Sequence, residues 1–534
     1  MAAAPAAAQS SIDAMQLTGS ELRGTARFMG MGGAFTALGG DLSTLTQNPG
    51  GLGIYRKSEI GATIDINFMK TTTESQTKFS DSPTKVACNN FGYVGSLNLG
   101  RNSVLRYFNW GVSYNRIAQF DRRMYGYTGN QGGSLTNYIA KFTNAAGYDE
   151  NELNFGDKYN PYQNGDADWL SILAYNSYLI NTVNGTTNRY MGLYNSNTVA
   201  DAEIGVREKG YVDEYSINFG GNLSDMIYWG IGIGITDLSY SRAVTYSESM
   251  EHATAYCGAS GVINNADAGY TLNNYKHLSA NGWKLSFGLI FKPINELRIG
   301  AAIHSPTYWS VQHNYDANVS YSYNDPSLVP NDPFKSEKPE VTDVADFDWR
   351  LKSPWRFMVG VAGVIGNKAI ISIDYERKAY NDMTISNATY DGYGYIDGYQ
   401  NNTAMNDDIR RYFKATNELR IGAEYRVTPA FSVRAGYNRQ MTMVKDDAAN
   451  DQMEIVTSGT DPSYSFDKDT DNVSFGMGYR FGAFTLDATY MYTHRKSTLH
   501  AYTPYNGMPT TALPPAFAVS QTNNNVVLSL AYHF

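Results

Sequence analysis

From Glu59 onward the chain alternates between apolar and polar positions. Ile60, Ala62, Ile64, Ile66 and Phe68 interleave with Gly61, Thr63, Asp65 and Asn67. Phe108, Trp110, Val112 and Tyr114 interleave with Asn109, Gly111, Ser113 and Asn115. A period of two with one apolar face marks a half-buried strand. The same reading predicts strands at Glu59–Met69, Asn90–Gly100, Tyr107–Gln119, Glu214–Leu223, Ile227–Tyr246, His277–Phe291 and Glu296–Tyr323. It continues with Pro354–Ile365, Ala369–Ser386, Thr416–Val427, Phe431–Val444, Asn472–Phe481, Phe484–Tyr502 and Asn523–Phe534. The total is about fourteen, an even number, as in single-chain membrane barrels. Turns such as Gly366-Asn367-Lys368, Thr428-Pro429-Ala430 and Gly482-Ala483 join the strands at one rim. Long polar loops join them at the other, the largest at 121–212 with a short helix expected over Ala167–Ile180.

Short turns on one side and long loops on the other are the asymmetry of outer-membrane barrels. The expected fold is therefore all-β: a transmembrane antiparallel β-barrel of about fourteen strands. A mean hydropathy of −0.39 does not oppose this, because only alternate residues of a barrel strand meet lipid. No apolar run is long enough for a membrane helix. Aromatic residues at 13% and 50 glycines, against 17% charged residues, suit strands with wet loops. The net charge of −9 and the lack of a basic face exclude nucleic acid as a partner.

The glycine-rich stretch Ser20–Ser58 precedes the first strand. Residues 1–58 are read as a leader and plug, and 59–534 as the barrel. The plug is rich in apolar residues for a segment without a strand. Apolar groups lining a lumen suit an apolar ligand. The candidate hatch and ligand-binding residues are Phe28, Met29, Phe35, Leu38, Asn48, Pro49, Gly50 and Leu52. The start, Met1–Leu17, lacks the charged region and long apolar core of a signal peptide. It reads either as the tail of a cleaved export signal or as a remnant of cloning.

Catalytic and metal chemistry find no support. There is no GxSxG. The seven histidines fall in no metal-ligand spacing. Asp467, Asp469 and Asp471 have EF-hand-like spacing without the glycine and terminal glutamate, and read as a solvated loop. The glycines of Met29–Ala34 follow no strand, so they do not make a dinucleotide loop. No enzyme activity, cofactor or metal is expected. Cys88 and Cys257 are both placed in loops on one rim, where a disulfide and two unpaired thiols fit equally.

Asn48-Pro49-Gly50-Gly51-Leu52, followed by this strand pattern, resembles the FadL/TodX-type outer-membrane transporters of long-chain fatty acids and other hydrophobic compounds. Leu297–Pro306, Pro354–Gly360 and Leu419–Tyr425 are similar to a Bacteroidetes-like branch. The resemblance implies an N-terminal hatch, a ligand pocket between hatch and wall, and a lateral opening at an inward kink of the third strand. By position the kink falls within Asn109–Phe120, with Asn109, Gly111 and Ser113 as gate residues. The implied function is passive transport of a hydrophobic small molecule across a Gram-negative outer membrane, with both termini on the periplasmic side and outer-membrane lipid around the wall. The final strand, ending in Phe534, resembles the signal read by the barrel-assembly machinery. The alternative is a docking or structural barrel whose long loops hold a protein partner.

Overall fold

The computed structural model describes residues 9–534 except 101, 257–260, 326–332, 367 and 505–513. Fourteen antiparallel strands close on themselves. They are β1 Glu59–Glu74, β2 Thr84–Asn98, β3 Leu105–Gln131, β4 Val199–Leu223, β5 Ile227–Tyr256 and β6 Val262–Ile294. Three strands run in two pieces. These are β7 (Leu297–His304, Tyr308–Asn324), β8 (Ala345–Lys352, Arg356–Ile365) and β9 (Ala369–Lys378, Thr384–Tyr390). The rest are β10 Thr416–Arg426, β11 Phe431–Gln440, β12 Tyr464–Phe481, β13 Phe484–His500 and β14 Ala516–His533. Pairing of β14 with β1, from Glu59–His533 to Glu74–Ala518, closes the ring.

The alternation seen in the sequence is the outside–inside alternation of this wall. Ile64, Phe68, Ile217, Ile233, Leu285, Phe357, Ile373, Phe475 and Leu528 are all exposed. Together they form a continuous apolar band around the barrel. Among the described residues no helix is long and apolar enough to cross a membrane. The barrel crosses with its strands, as a closed barrel leaves no edge unpaired in lipid.

Several strands rise far above the band. β3 to β6 run well past their expected ends, so the largest connection shrinks to residues 132–198. That connection folds into a lid built on α2 (Leu135–Ala146) and α3 (Trp169–Asn176). Leu135, Ile139, Leu170 and Leu173 of the lid share one apolar core with Ile204, Val244, Leu272 and Val319 of the wall. Glu248 of β5 fastens the lid: its carboxylate accepts hydrogen bonds from the Leu135 N–H at 3.0 Å and from Gln131 at 2.9 Å.

At mid-height β7, β8 and β9 all break, at Ser305-Pro306-Thr307, Ser353-Pro354-Trp355 and 379–383. The breaks lie side by side: the Ser353 N–H donates to Thr307 O at 3.0 Å and the Ala379 N–H to Trp355 O at 3.3 Å. The single strand expected over Glu296–Tyr323 is thus split at Pro306, which has no N–H for the ladder.

Residues 9–58 fold back into the lumen. A short helix at Ala26–Gly30, another at Thr44–Gln47 and a 3-10 turn at Pro49–Ile54 make a compact plug. It touches the wall through glycines. A Cβ on Gly300 would stand 2.0 Å from the Thr36 carbonyl oxygen, and one on Gly436 2.1 Å from the Gly32 nitrogen. Only a residue without a side chain permits such an approach.

Candidate functional site: the lumen, its N-terminal helix and a break in the wall

The plug has its own core. Phe28, Met29, Phe35 and Leu38 bury one another with Leu22 and Met31, and the rings of Phe28 and Phe35 stand 5.5 Å apart. Leu52 packs with Leu42, Leu45 and Tyr55. Asn48 is fully buried and ties the turn together. Its Oδ1 accepts from the Gly50 N–H at 2.9 Å, and its Nδ2 donates to Thr36 O at 2.6 Å and Leu289 O at 3.3 Å. Pro49 opens that 3-10 turn, and both it and Gly50 are buried. These hatch residues are therefore brought together, packed against plug and wall.

At the level of the apolar band the lumen around the plug is polar. Glu376 is ion-paired with Arg356 at 2.6 Å and with Arg420. Glu418 meets Lys378 at 3.1 Å and Arg420 at 2.9 Å. Arg434 joins Glu424 at 2.6 Å and Asp487 at 2.5 Å, and Arg27 of the plug reaches Glu424 at 3.0 Å. Buried charges need such partners, because an unpaired one is costly.

Higher up the lumen becomes apolar and holds a helix the sequence reading missed. α1 (Ser11–Thr18) lies within residues read as a leader, yet it carries a capping box of Ser10 and Asp13. Its Ile12, Met15 and Leu17 sit among Leu238, Leu278, Trp309, Phe347, Trp349 and Phe413. A further helix, α4 (Thr403–Tyr412), closes the same chamber with Met405 and Ile409. Asp13 is fully buried and pairs with Lys276 of β6 at 2.6 Å; Ser458 donates to it at 2.9 Å. Burial alone would raise the Asp13 carboxyl. Lys276 and then His313 outweigh burial and hold it well below its ordinary value of 3.8. The ring nitrogens of His313 and the Trp349 Nε1 are buried without a hydrogen-bond partner. The free space beside α1 is about 140 Å³ and reaches Lys378, Glu418 and Arg495. Ligand pockets usually offer about 300–1,000 Å³, more than remains free beside α1.

Among the described residues, the wall opens between β2 and β3. β2 pairs with β3 only from Asn98–Tyr107 to Asn90–Asn115. Beyond that, β2 continues on β1 to Thr84 and β3 continues on β4 to Gln131. A bulge interrupts β3 between Arg116 and Ala118. Asn109, Gly111 and Ser113 lie below the gap. They face the lumen and are laddered on both sides, to Ser96, Val94 and Gly92 on β2 and to Gly220, Asn218 and Ser216 on β4.

Two expectations are corrected. Cys88 is a free thiol exposed on strand β2 and not in a loop, while Cys257 lies outside the described residues. Asp467, Asp469 and Asp471 stand in strand β12, where arginines neutralise them: Arg122 lies 3.2 Å from Asp467 and Arg439 lies 2.8 Å from Asp469. Among the described residues no cluster could hold a metal ion.

The barrel fold has counterparts among solved structures. The toluene transporter TodX of P. putida superposes with a TM-score of 0.52 at 14% identity, over 96% of this chain and 99% of that one. A Pseudomonas aeruginosa FadL homologue gives the same values. The chain has the FadL/TodX fold. No protein-family model and no curated protein matches it. At this identity the FadL/TodX likeness concerns the fold alone. The chamber, the lid and the gap are read from this chain's own residues.

Proposed function

We propose that this FadL/TodX-fold barrel carries a hydrophobic small molecule passively across the outer membrane. The observation that carries the reading is the apolar chamber filled by the chain's own α1, set above a polar, plugged lumen. The ligand takes the place of α1 and then leaves through the gap between β2 and β3 into lipid. That gap lies beside Phe68 and Val86, both exposed on the outer face. The structural neighbours, a toluene transporter and a FadL homologue, agree with a hydrophobic cargo.

The chamber also suggests which end of a cargo goes where. Withdrawal of α1 takes Asp13 away from Lys276. An amphiphile with one carboxylate restores that pair, while its chain buries against Trp309 and Trp349 at about 25 cal/mol per Å². The short-turn rim, where Ser58 and Phe534 exchange hydrogen bonds, faces the periplasm. Phe534 is presented there to the assembly machinery.

The test is uptake of labelled palmitate and toluene by a Gram-negative host lacking such a channel. Both should enter faster when the protein is present. Lys276→Met should slow palmitate and spare toluene. Uptake equal to that of the empty host for both compounds would sink the reading.

A further inference from the structure

The gap in the wall is spanned by two residues of the plug. Each bordering strand carries one extra residue there. On β2 it is Asn89, because Thr63 pairs with Asn90 and Ile64 already pairs with Cys88. On β3 it is Ile117, between Arg116 and Ala118. Glu21 takes the β3 edge: its N–H donates to Ile117 O at 3.0 Å, and its carboxylate accepts from the Gln119 N–H at 3.2 Å. Arg23 takes the other edge, donating to Asn89 Oδ1 at 3.0 Å and to Asp65 Oδ2 on β1 at 3.1 Å. The two are joined to each other at 2.7 Å, and the Arg23 side chain is only 4% exposed. Above them the strands are tied again, by Lys85 with Asp121 at 3.1 Å and by the Gln76 N–H to Tyr127 O at 3.4 Å. The opening is thus bounded on every side, and its inner face is the plug. A small cavity lined by Glu21, Leu22 and Arg23 reaches that face from the lumen.

We propose that Glu21 and Arg23 are the gating residues of this wall: together they clasp β2 to β3, and lateral release requires the clasp to part. They act by position, holding the two strand edges together. Two facing bulges would leave unpaired edge groups in a membrane-level wall, which a barrel avoids. The plug supplies the missing partners. Because the same segment leads up to α1, displacement of α1 pulls on the clasp from inside.

The inference rests on the transport reading, so the test separates the two. Palmitate binding is measured on the protein in lipid nanodiscs by tryptophan fluorescence, and uptake is measured in the host cells described above. Glu21→Gln removes the charge from the clasp. It should leave binding unchanged and raise uptake about tenfold, a loss of about 1.4 kcal/mol from the closed state. The opposite device is a disulfide between Glu21→Cys and Gln119→Cys in a Cys88→Ser, Cys257→Ser background. Oxidised, it should bind palmitate normally and pass none; reduction should restore uptake. Should Glu21→Gln fail to assemble, the disulfide pair decides alone. Normal binding and uptake in both the oxidised pair and Glu21→Gln would overturn the clasp. Loss of palmitate binding in the parent protein itself would overturn the transport reading instead.

Discussion

The two halves of the lumen invert what their surroundings would suggest. Where lipid surrounds the wall the inside is charged: Glu376, Glu418, Arg420 and Arg434 form ion pairs around the plug. Where water surrounds the wall the inside is mostly apolar, filled by α1 and covered by the lid, with one buried ion-pair network of Arg122, Glu208, Arg242 and Asp461 set into it. The lower half is a lock, since buried pairs and glycine contacts fix the plug in one place. The upper half is a container whose content is a helix of the chain itself. On the proposed transport reading, a hydrophobic cargo would meet affinity first and a polar barrier second, and a side exit at their boundary would spare it the barrier.

The contrast can be broken from either side. The largest effect is expected in the lock. Glu376→Ala leaves the buried Arg420 and the partly buried Arg356 beside an empty place and should cost about 3–5 kcal/mol. The temperature at which the barrel loses its compact gel mobility reads this, and an unchanged temperature would refute the lock. Gly300→Val drives a side chain into Thr36 and should unseat the plug. Planar bilayers would then show steady ion conductance where the parent shows none; a silent variant would mean that the plug yields without opening.

The container should respond more gently. Asp13→Asn removes the charge that faces Lys276 and should cost the docking of α1 about 1.5–3 kcal/mol. Hydrogen exchange of the α1 amides should accelerate accordingly. The same group fixes a pH dependence. Its carboxyl is lowered in the folded protein, so its contribution is complete above its ordinary value of 3.8 and fades as pH falls below it. Exchange in α1 should therefore be flat from neutral pH to about 5 once the intrinsic rate is divided out, and rise only in stronger acid. Loosening already at pH 6 would show that another group holds α1. The smallest effect belongs to the lid surface. Phe155 is half exposed, and Phe155→Ser should change stability by no more than about 0.5 kcal/mol.

The barrel was legible because lipid imposes a strict alternation, and β1 or β14 can be read residue by residue. That signal ends with the lipid. Val199–Tyr211 also alternates, with Ala200, Ala202, Ile204 and Val206 turned inward. Its outward residues include Asp201, Glu203 and Arg207, so its composition reads as a loop. The hatch residues were legible as buried, since apolar side chains in a strandless segment must pack somewhere. Their partners were not, because Phe28 against Phe35 is a contact made only by the folded plug. The break in β3 eluded a search for glycines: the extra residue is Ile117, and a bulge asks for one added residue rather than a particular one. Helix α1 was hidden by the Ala-rich start beside it, although Ser10 and Asp13 stood at capping distance.

The three aligned interruptions in β7, β8 and β9 give the barrel a joint. Few rungs cross the wall at that height, and Pro306 and Pro354 offer no donors to add more. A tube weakened along one arc flexes there first, so the portion above can lean while the portion gripped by the bilayer stays put. The tail of α1 rests against this arc, with the Tyr380 hydroxyl donating to Thr18 O at 3.5 Å and Thr18 Oγ1 lying 3.5 Å from Met383 Sδ. Leaning of the upper wall would therefore shift the helix seat without disturbing the staves below. The flank that carries the prolines is thus expected to be the compliant side of the upper wall.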